Sequence, residues 1–349
     1  MGKKTVAYVG SYTYIGESKG ISIFDVDEET CSFVRRKEVP VNNASYMVFS
    51  NSRRYLYSLA DEGIVAFRIL EDGDLEYLNT ANIRAMRGRF IEISQDDRFL
   101  FVAGYHDGKL TVVKVNEDGS AGEICDGFYD RGIGSLAERN FQPHLSCVRM
   151  TPDQKFLCVA NLGIDQIKAF RFDQDSGRIK LAHILRCELD SAPRHFLFSK
   201  DGRFMYVIAE LKNTITVYRY TCVNDHPEFE HVQTISTLGP KFSNVNSAVA
   251  ILLSSDDRYL FCSNAGDNSV GMYRRDCESG RLTQEFVLPI SGGYPKDIGL
   301  FDDERRLYSV NFEGGTITFF KIEYEKKYIT MCAAPVEVDQ PNCCLFLRL

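Results

Sequence analysis

Four short stretches of the chain carry the side chains best suited to acid–base and anion chemistry. His144 stands in QPHLSCVRM, Arg194 in APRHFLFSK, Glu210 in FMYVIAE, and Lys296 with Asp297 in GYPKDIGL. Each lies where an apolar, strand-like run begins or ends. The set joins a carboxylate and an imidazole, either of which can take a proton from water, to two cations that can hold a developing oxyanion. A phosphate or carboxylate on a substrate would need a further Arg or Lys, since charge-assisted hydrogen bonds select such groups. The chemistry on offer is base-assisted addition of water to an acyl carbon. Glu210 and His144 are the candidate bases, and Arg194, Lys296 and Asp297 the candidate substrate contacts.

The elements that must bring these residues together come from a repeat. Six segments share the frame S-x-D-x-[RK]-[FY]-L-[FY]-V-x-N: SNSRRYLYSLAD, SQDDRFLFVAGY, TPDQKFLCVANL, SKDGRFMYVIAE, SSDDRYLFCSNA and FDDERRLYSVNF. Their basic anchors, Arg54, Arg98, Lys155, Arg203, Arg258 and Arg305, are separated by 44, 57, 48, 55 and 47 residues. Propeller blades repeat at about 40–50 residues. Within each unit, apolar runs alternate with Asp- and Gly-bearing turns, as in HFLFS, FMYVIA, NTITVYRY and QDSGRIKLAHI. That pattern predicts four short antiparallel strands, and β-branched and aromatic enrichment favours strand over helix. Asp72-Gly73, Asp107-Gly108 and Asp118-Gly119 read as hairpin turns rather than metal loops.

The seventh unit is split. The chain begins at a second strand, TVAYVGSY, and ends in QPNCCLFLRL, which matches the missing first strand. The expected fold is therefore all-β: one seven-bladed β-propeller over residues 1–349, with four-stranded antiparallel blades. The C-terminal strand should pair into the N-terminal blade and close the ring.

In such a ring, the starts of the first strands and the residues after the second strands converge on one channel mouth. The first set is Arg89, His144, Ser146, Arg194, His195, Lys296 and Asp297. The second is Asp61, Tyr105, Leu162, Glu210, Ala265 and Phe312. Plainer roles compete: Glu210 as a solvated turn carboxylate, and His144 as an imidazole bonded to backbone. Strand alternation sends His195 into the sheet rather than the channel. His106, His183, His226 and His231 fall on turns or outer strands, at the surface.

Composition narrows the class. With 44% hydrophobic residues, 26% charged residues and 10 Pro in 349, the chain is an ordinary globule rather than a disordered one. A net charge of −7 argues against sequence-independent nucleic-acid binding. No apolar run reaches membrane-span or signal-peptide length, so the expected location is cytoplasmic, without a membrane partner. The 11 cysteines include no CxxC pair and are expected as reduced, mostly buried thiols. Oligomeric state is not written in the sequence.

The D-x-R-F-L-Y-V frame, the P-R-H-F of blade five and its N-T-I-T-V-Y strand resemble the lactonase-type propellers. That family includes propeller-type 6-phosphogluconolactonases and the fungal carboxy-muconate lactonising enzyme. The resemblance covers the whole chain. It implies hydrolysis of a sugar lactone, or binding of its sugar acid, with no cofactor and no metal. It places the family's P-R-H arginine on Arg194, its blade-five glutamate on Glu210, and the first His of P-H-x-H on His144. It also exposes departures: Ser146 stands where the family has a histidine, and Ala265 where it has an arginine. Ala250 and Leu252 replace a glutamate and a histidine. Two further readings follow, a non-catalytic propeller that binds a ligand or protein and a lactonising or isomerising enzyme acting on a dicarboxylate.

Overall fold

The computed structural model describes residues 4–135, 140–240, 242 and 244–349. Its strands form seven antiparallel sheets arranged as blades. Six follow the chain from inner to outer strand: blade two starts at Met47–Phe49, three at Gly88–Ile93 and four at Leu145–Met150. Blade five starts at Pro193–Phe198, six at Ser247–Leu253 and seven at Pro295–Leu300. Blade one is composite, with Pro341–Arg348 inside Thr5–Ser11, Gly20–Asp27 and Ser32–Pro40. Seven blades with a C-terminal closing strand are thus what the repeat predicted. Helix is confined, among the described residues, to one 3₁₀ turn at Leu162–Ile164.

Burial explains the strand compositions. Second strands such as Phe204–Ala209 are buried at every position, because both faces pack against neighbouring blades. Such strands read as continuous apolar runs. Outer strands such as His226–Ser236 are largely exposed and polar.

The repeated S-x-D-x-[RK] frame clips the blades together. Its Ser or Thr hydroxyl donates to the Asp carboxylate, as in Ser94 to Asp96 (2.6 Å), Thr151 to Asp153 (2.6 Å) and Ser254 to Asp256 (2.7 Å). The following residue turns into the left-handed region, with φ 61° at Asp97 and 59° at Asp257. There Asp97 accepts the N–H groups of Asn51 (2.6 Å) and Ser52 (3.0 Å) in the preceding blade, and Asp257 that of Lys200 (2.7 Å). The basic anchor reaches the other way, Arg98 to the carbonyl of Gln174 (2.7 Å) and Arg203 to that of Cys277 (2.8 Å).

Buried tyrosines add forward ties. The hydroxyls of Tyr57 and Tyr206 donate to Gly119 (2.9 Å) and Gly280 (3.0 Å) on the next blade's turn. Gly119 sits at φ +86°, and a Cβ there would lie 2.1 Å from the Tyr55 ring. Only glycine fits both the backbone and the space.

Closure uses the C-terminal strand throughout its length, from Thr5↔Arg348 to Ser11↔Pro341. Pro341, Asn342, Cys343 and Cys344 are buried, and Arg348 binds Glu28 while the Leu349 N–H donates to Lys4 (2.9 Å). Removing residues 341–349 strips blade one of its inner strand and opens the seam. The loss of several buried side chains and a full ladder should lower the thermal midpoint by at least about 10 °C. A truncated chain that melts with the intact one would contradict this account of closure.

Candidate functional site

An inner strand with strict alternation would show the channel only every second residue. Here six inner strands carry a register shift near the head. The pairs Gly88↔Gly104 and Phe90↔Ala103 leave Arg89 unpaired between them. Pro193↔Ala209 and His195↔Ile208 likewise leave out Arg194, and Pro295↔Asn311 and Asp297↔Val310 leave out Lys296. Ser146, Asn342 and the Val249–Ala250 step occupy the same place in blades four, one and six. A β-bulge of this kind re-aims its extra side chain. The cations of blades three, five and seven therefore share one mouth.

That mouth is a cavity of about 260 Å³, lined by Arg89, Arg194, Lys296 and Glu210, with Tyr12, Tyr14, Tyr105, Tyr294 and Phe312 as walls. Arg87, Gly88 and His106 are the other described residues of the lining. Arg194 and Glu210 are buried and ion-paired. The Lys296 ammonium lies 4.2 Å from the Tyr12 ring centre and 4.3 Å from that of Phe312, and it bonds Asn342. Burial, with Arg89 and Arg194 nearby, holds Lys296 well below its usual lysine range. Burial and then Arg194 lower Arg89 as well. Among the described residues, neither Arg89 nor Lys296 has a carboxylate within ion-pair distance. Excess positive charge in a desolvated pocket is a preorganised anion site.

Serine hydroxyls from the intervening blades prop the bulges. Ser45 of blade two donates to the carbonyl of Gly88 (3.0 Å), just before Arg89. Ser146 of blade four donates to the carbonyl of Arg194 (2.7 Å), and Ser263 of blade six to that of Pro295 (2.8 Å), just before Lys296. Thus Ser146, although not a base, holds the backbone that aims Arg194.

Asp165 sets the loop ahead of blade five. Its carboxylate accepts the N–H groups of Asp190 (2.8 Å) and Ala192 (2.8 Å), while the Ala192 carbonyl accepts from the Glu210 N–H (2.8 Å). One buried carboxylate so positions the loop between Arg194 and Glu210. Nothing in its local sequence, GIDQI, distinguishes it from a turn residue.

Of the residues expected at the site, Arg194, Glu210 and Lys296 meet in the cavity, and Arg89 joins them. Glu210 is a buried ion-pair partner rather than a solvated turn carboxylate.

His144 does not reach the cavity. It precedes its strand, outside the bulge. Its Nδ1 lies 2.7 Å from the Tyr105 carbonyl and its ring stacks on Tyr105 at 4.3 Å, so it braces the wall from behind. Asp297 also misses the mouth, because the bulge gives the upward place to Lys296. It lies lower in the channel, accepting from the N–H groups of Ile298 (3.0 Å) and Cys344 (3.4 Å).

His195 departs from the alternation rule. Its ring meets Phe90, two blades away, at 5.4 Å, a contact made across the channel. Burial, together with Arg194, Arg89 and Arg149, holds it well below the usual imidazole range. His106 is exposed as expected, but at the cavity rim.

Comparison with known proteins agrees with this architecture. The lactonase family of seven-bladed β-propellers matches residues 6–346, and the chain belongs to it. A 6-phosphogluconolactonase of Bacillus subtilis is 27% identical, over 99% of both chains. A candidate 6-phosphogluconolactonase of Bacteroides fragilis superposes with a TM-score of 0.90 at 27% identity, over 99% of this chain and 98% of that one. The periplasmic gluconolactonase of Pseudomonas aeruginosa gives a TM-score of 0.91 over 99% of each chain, and at 24% identity it supports the fold alone. Among the described residues, no helix is long and apolar enough to cross a membrane.

The deeper channel has a measurable signature. Burial pushes the Asp297 carboxyl up to about 7, with its two backbone N–H bonds opposing. The folded state then holds this proton where the unfolded chain has released it. Its contribution to stability is present near pH 4 and is lost as pH rises through 7. Because the residue keeps some contact with channel water, the change should be on the order of 2 kcal/mol. Asp297→Asn should gain stability relative to the parent between pH 5 and 8, by urea unfolding. A stability difference that stays constant with pH would count against it.

Proposed function

We propose that the chain hydrolyses the lactone of an anionic sugar acid, with a phosphorylated aldonolactone as the substrate class. The observation that carries this reading is the convergence of Arg89, Arg194 and Lys296 on one cavity that also holds a buried carboxylate, Glu210. The Bacillus subtilis relative supports the substrate class. The cavity lies at the small end of ligand sites, suited to a monosaccharide between aromatic walls.

Roles follow from position. Among the described lining residues Glu210 is the only carboxylate, so the reacting carbon belongs beside it. Glu210 takes a proton from the attacking water while Arg194, its ion-pair partner, stabilises the oxyanion on the former carbonyl oxygen. Collapse of the tetrahedral intermediate breaks the bond to the ring oxygen, which receives the proton and leaves as a hydroxyl. Arg89 and Lys296 face the substrate's anionic group. His144 acts through Tyr105, as a positioning residue.

The reading uses no metal. Among the described residues, no three His, Cys, Asp or Glu side chains cluster as ligands, and the cations Arg89, Arg194 and Lys296 would repel a divalent ion. The serine props also bear on the family departures. Ser146 supports Arg194, which favours turnover over a degraded, purely binding site.

Rates must be corrected for spontaneous lactone opening. Arg194→Ala should lower kcat/KM by about 10²–10³-fold and Glu210→Gln by about 10²–10⁴-fold. Lys296→Met should raise KM for a phosphorylated lactone more than for its unphosphorylated counterpart. An Arg194→Ala rate equal to the parent's would overturn the assignment. Binding of the sugar acid without turnover would instead indicate a recognition propeller.

A further inference from the structure

We propose that Cys31 and Cys332 form a reversible disulfide that staples blade seven to blade one across the seam where the ring closes. Their Sγ atoms lie 3.8 Å apart although the residues are 301 positions apart in the chain. A disulfide is about 2.05 Å long, so side-chain rotation at the two turns has less than about 2 Å to close. Cys31 follows the outer hairpin turn of blade one, with φ 53°, and is buried in the cluster that joins the two blades, with Phe24, Phe319 and Val338. Cys332 is exposed. It occupies the gap between Tyr328–Met331 and Val336–Glu337, where blade seven's outer strand is interrupted, and its N–H donates to Phe319 (3.0 Å).

Other close cysteines lack this arrangement. Cys343 and Cys344 are adjacent but point to opposite sides of their strand, one into the cluster with Tyr8 and Met47, the other into that with Phe24 and Phe319. They serve packing.

Exposure decides the order of reaction. Burial pushes the Cys31 thiol up to about 12, so the exposed Cys332 is the first nucleophile. Cys332 loses its proton to water and attacks one sulfur of a low-molecular-weight disulfide such as oxidised glutathione, releasing one glutathione thiolate. Cys31 then deprotonates and attacks the Cys332 sulfur of the mixed disulfide, releasing the second glutathione. Two protein thiols are oxidised and one glutathione disulfide is reduced to two thiols. Arg306, whose charge favours the Cys31 thiolate, has a buried Nη1 without a hydrogen-bond partner among the described residues.

The consequence is specific to this topology. The backbone passes from blade seven into the inner strand of blade one, but the three N-terminal strands of that blade, which carry Cys31, are held to that strand and to blade seven only by non-covalent contacts. A cross-link there closes a loop of nearly the whole chain and restricts the unfolded ensemble.

The test uses the full chain treated with oxidised glutathione. Peptide mapping without reductant should find Cys31 joined to Cys332, and the thermal midpoint should rise by at least about 5 °C, reverting with dithiothreitol. Cys332→Ser, at an exposed position, should abolish both while melting like the reduced parent. Cys277→Ser, which removes the other exposed thiol, should abolish neither. Mapping that finds only glutathionylated Cys332, or a cross-link without a rise in the midpoint, would overturn the staple. None of these readouts depends on lactone hydrolysis.

Discussion

In an unbroken strand, neighbouring side chains point to opposite faces, so a ring of inner strands can offer its channel only alternate residues. The extra residue in the head of the inner strands changes that geometry, and the chemistry of the mouth depends on it. The bulge lifts Arg89, Arg194 and Lys296 out of their ladders and leaves Phe90, His195 and Asp297 one level below. A regular strand would have left the cations to solvate separately or to pack between blades. Cations on blades three, five and seven alternate with serines on two, four and six, and each serine secures the carbonyl beside a neighbouring bulge.

Holding these charges together is costly, and the scaffold supplies the rigidity that offsets the cost. Lys296 and Arg89 are both driven toward their neutral forms by burial and by their cationic neighbours. Such a cluster persists only where the backbone cannot relax apart. The left-handed Asp residues, the forward-reaching arginines and the buried tyrosines tie each blade to its neighbours, so displacement of one inner strand strains the next. The pocket is therefore set before a ligand arrives, and an anion entering it relieves repulsion already present. This is the condition under which electrostatic stabilisation of an oxyanion is most effective.

The departures from the lactonase pattern take on a physical meaning in this setting. Ser146, in place of a histidine, supplies no base but secures Arg194. Ala265 removes a potential cation from blade six, yet Arg89, Arg194 and Lys296 still converge on a pocket of about 260 Å³. The blade-four histidine that survives, His144, stacks behind Tyr105 and bonds its carbonyl, which is why the proposed reaction assigns the activation of water to Glu210.

The sequence by itself determined the ring. The S-x-D-x-[RK] frame encodes the clips between blades, and its period counts them, while QPNCCLFLRL carries the apolar pattern of the strand missing from the first blade. Arg194, Glu210 and Lys296 were legible because they flank recognisable strands. What only the tertiary structure decided was which side chain faces which space. One extra residue in six of the seven inner strands leaves no mark in composition or periodicity, yet it sends Lys296 to the mouth and Asp297 below it. It also brings His195 across the channel to Phe90. The Asp165 carboxylate and the serine props act on backbone from other blades, and the Cys31–Cys332 approach joins opposite ends of the chain. Those relations exist only once the ring has closed, because closure is what brings distant segments within bonding distance.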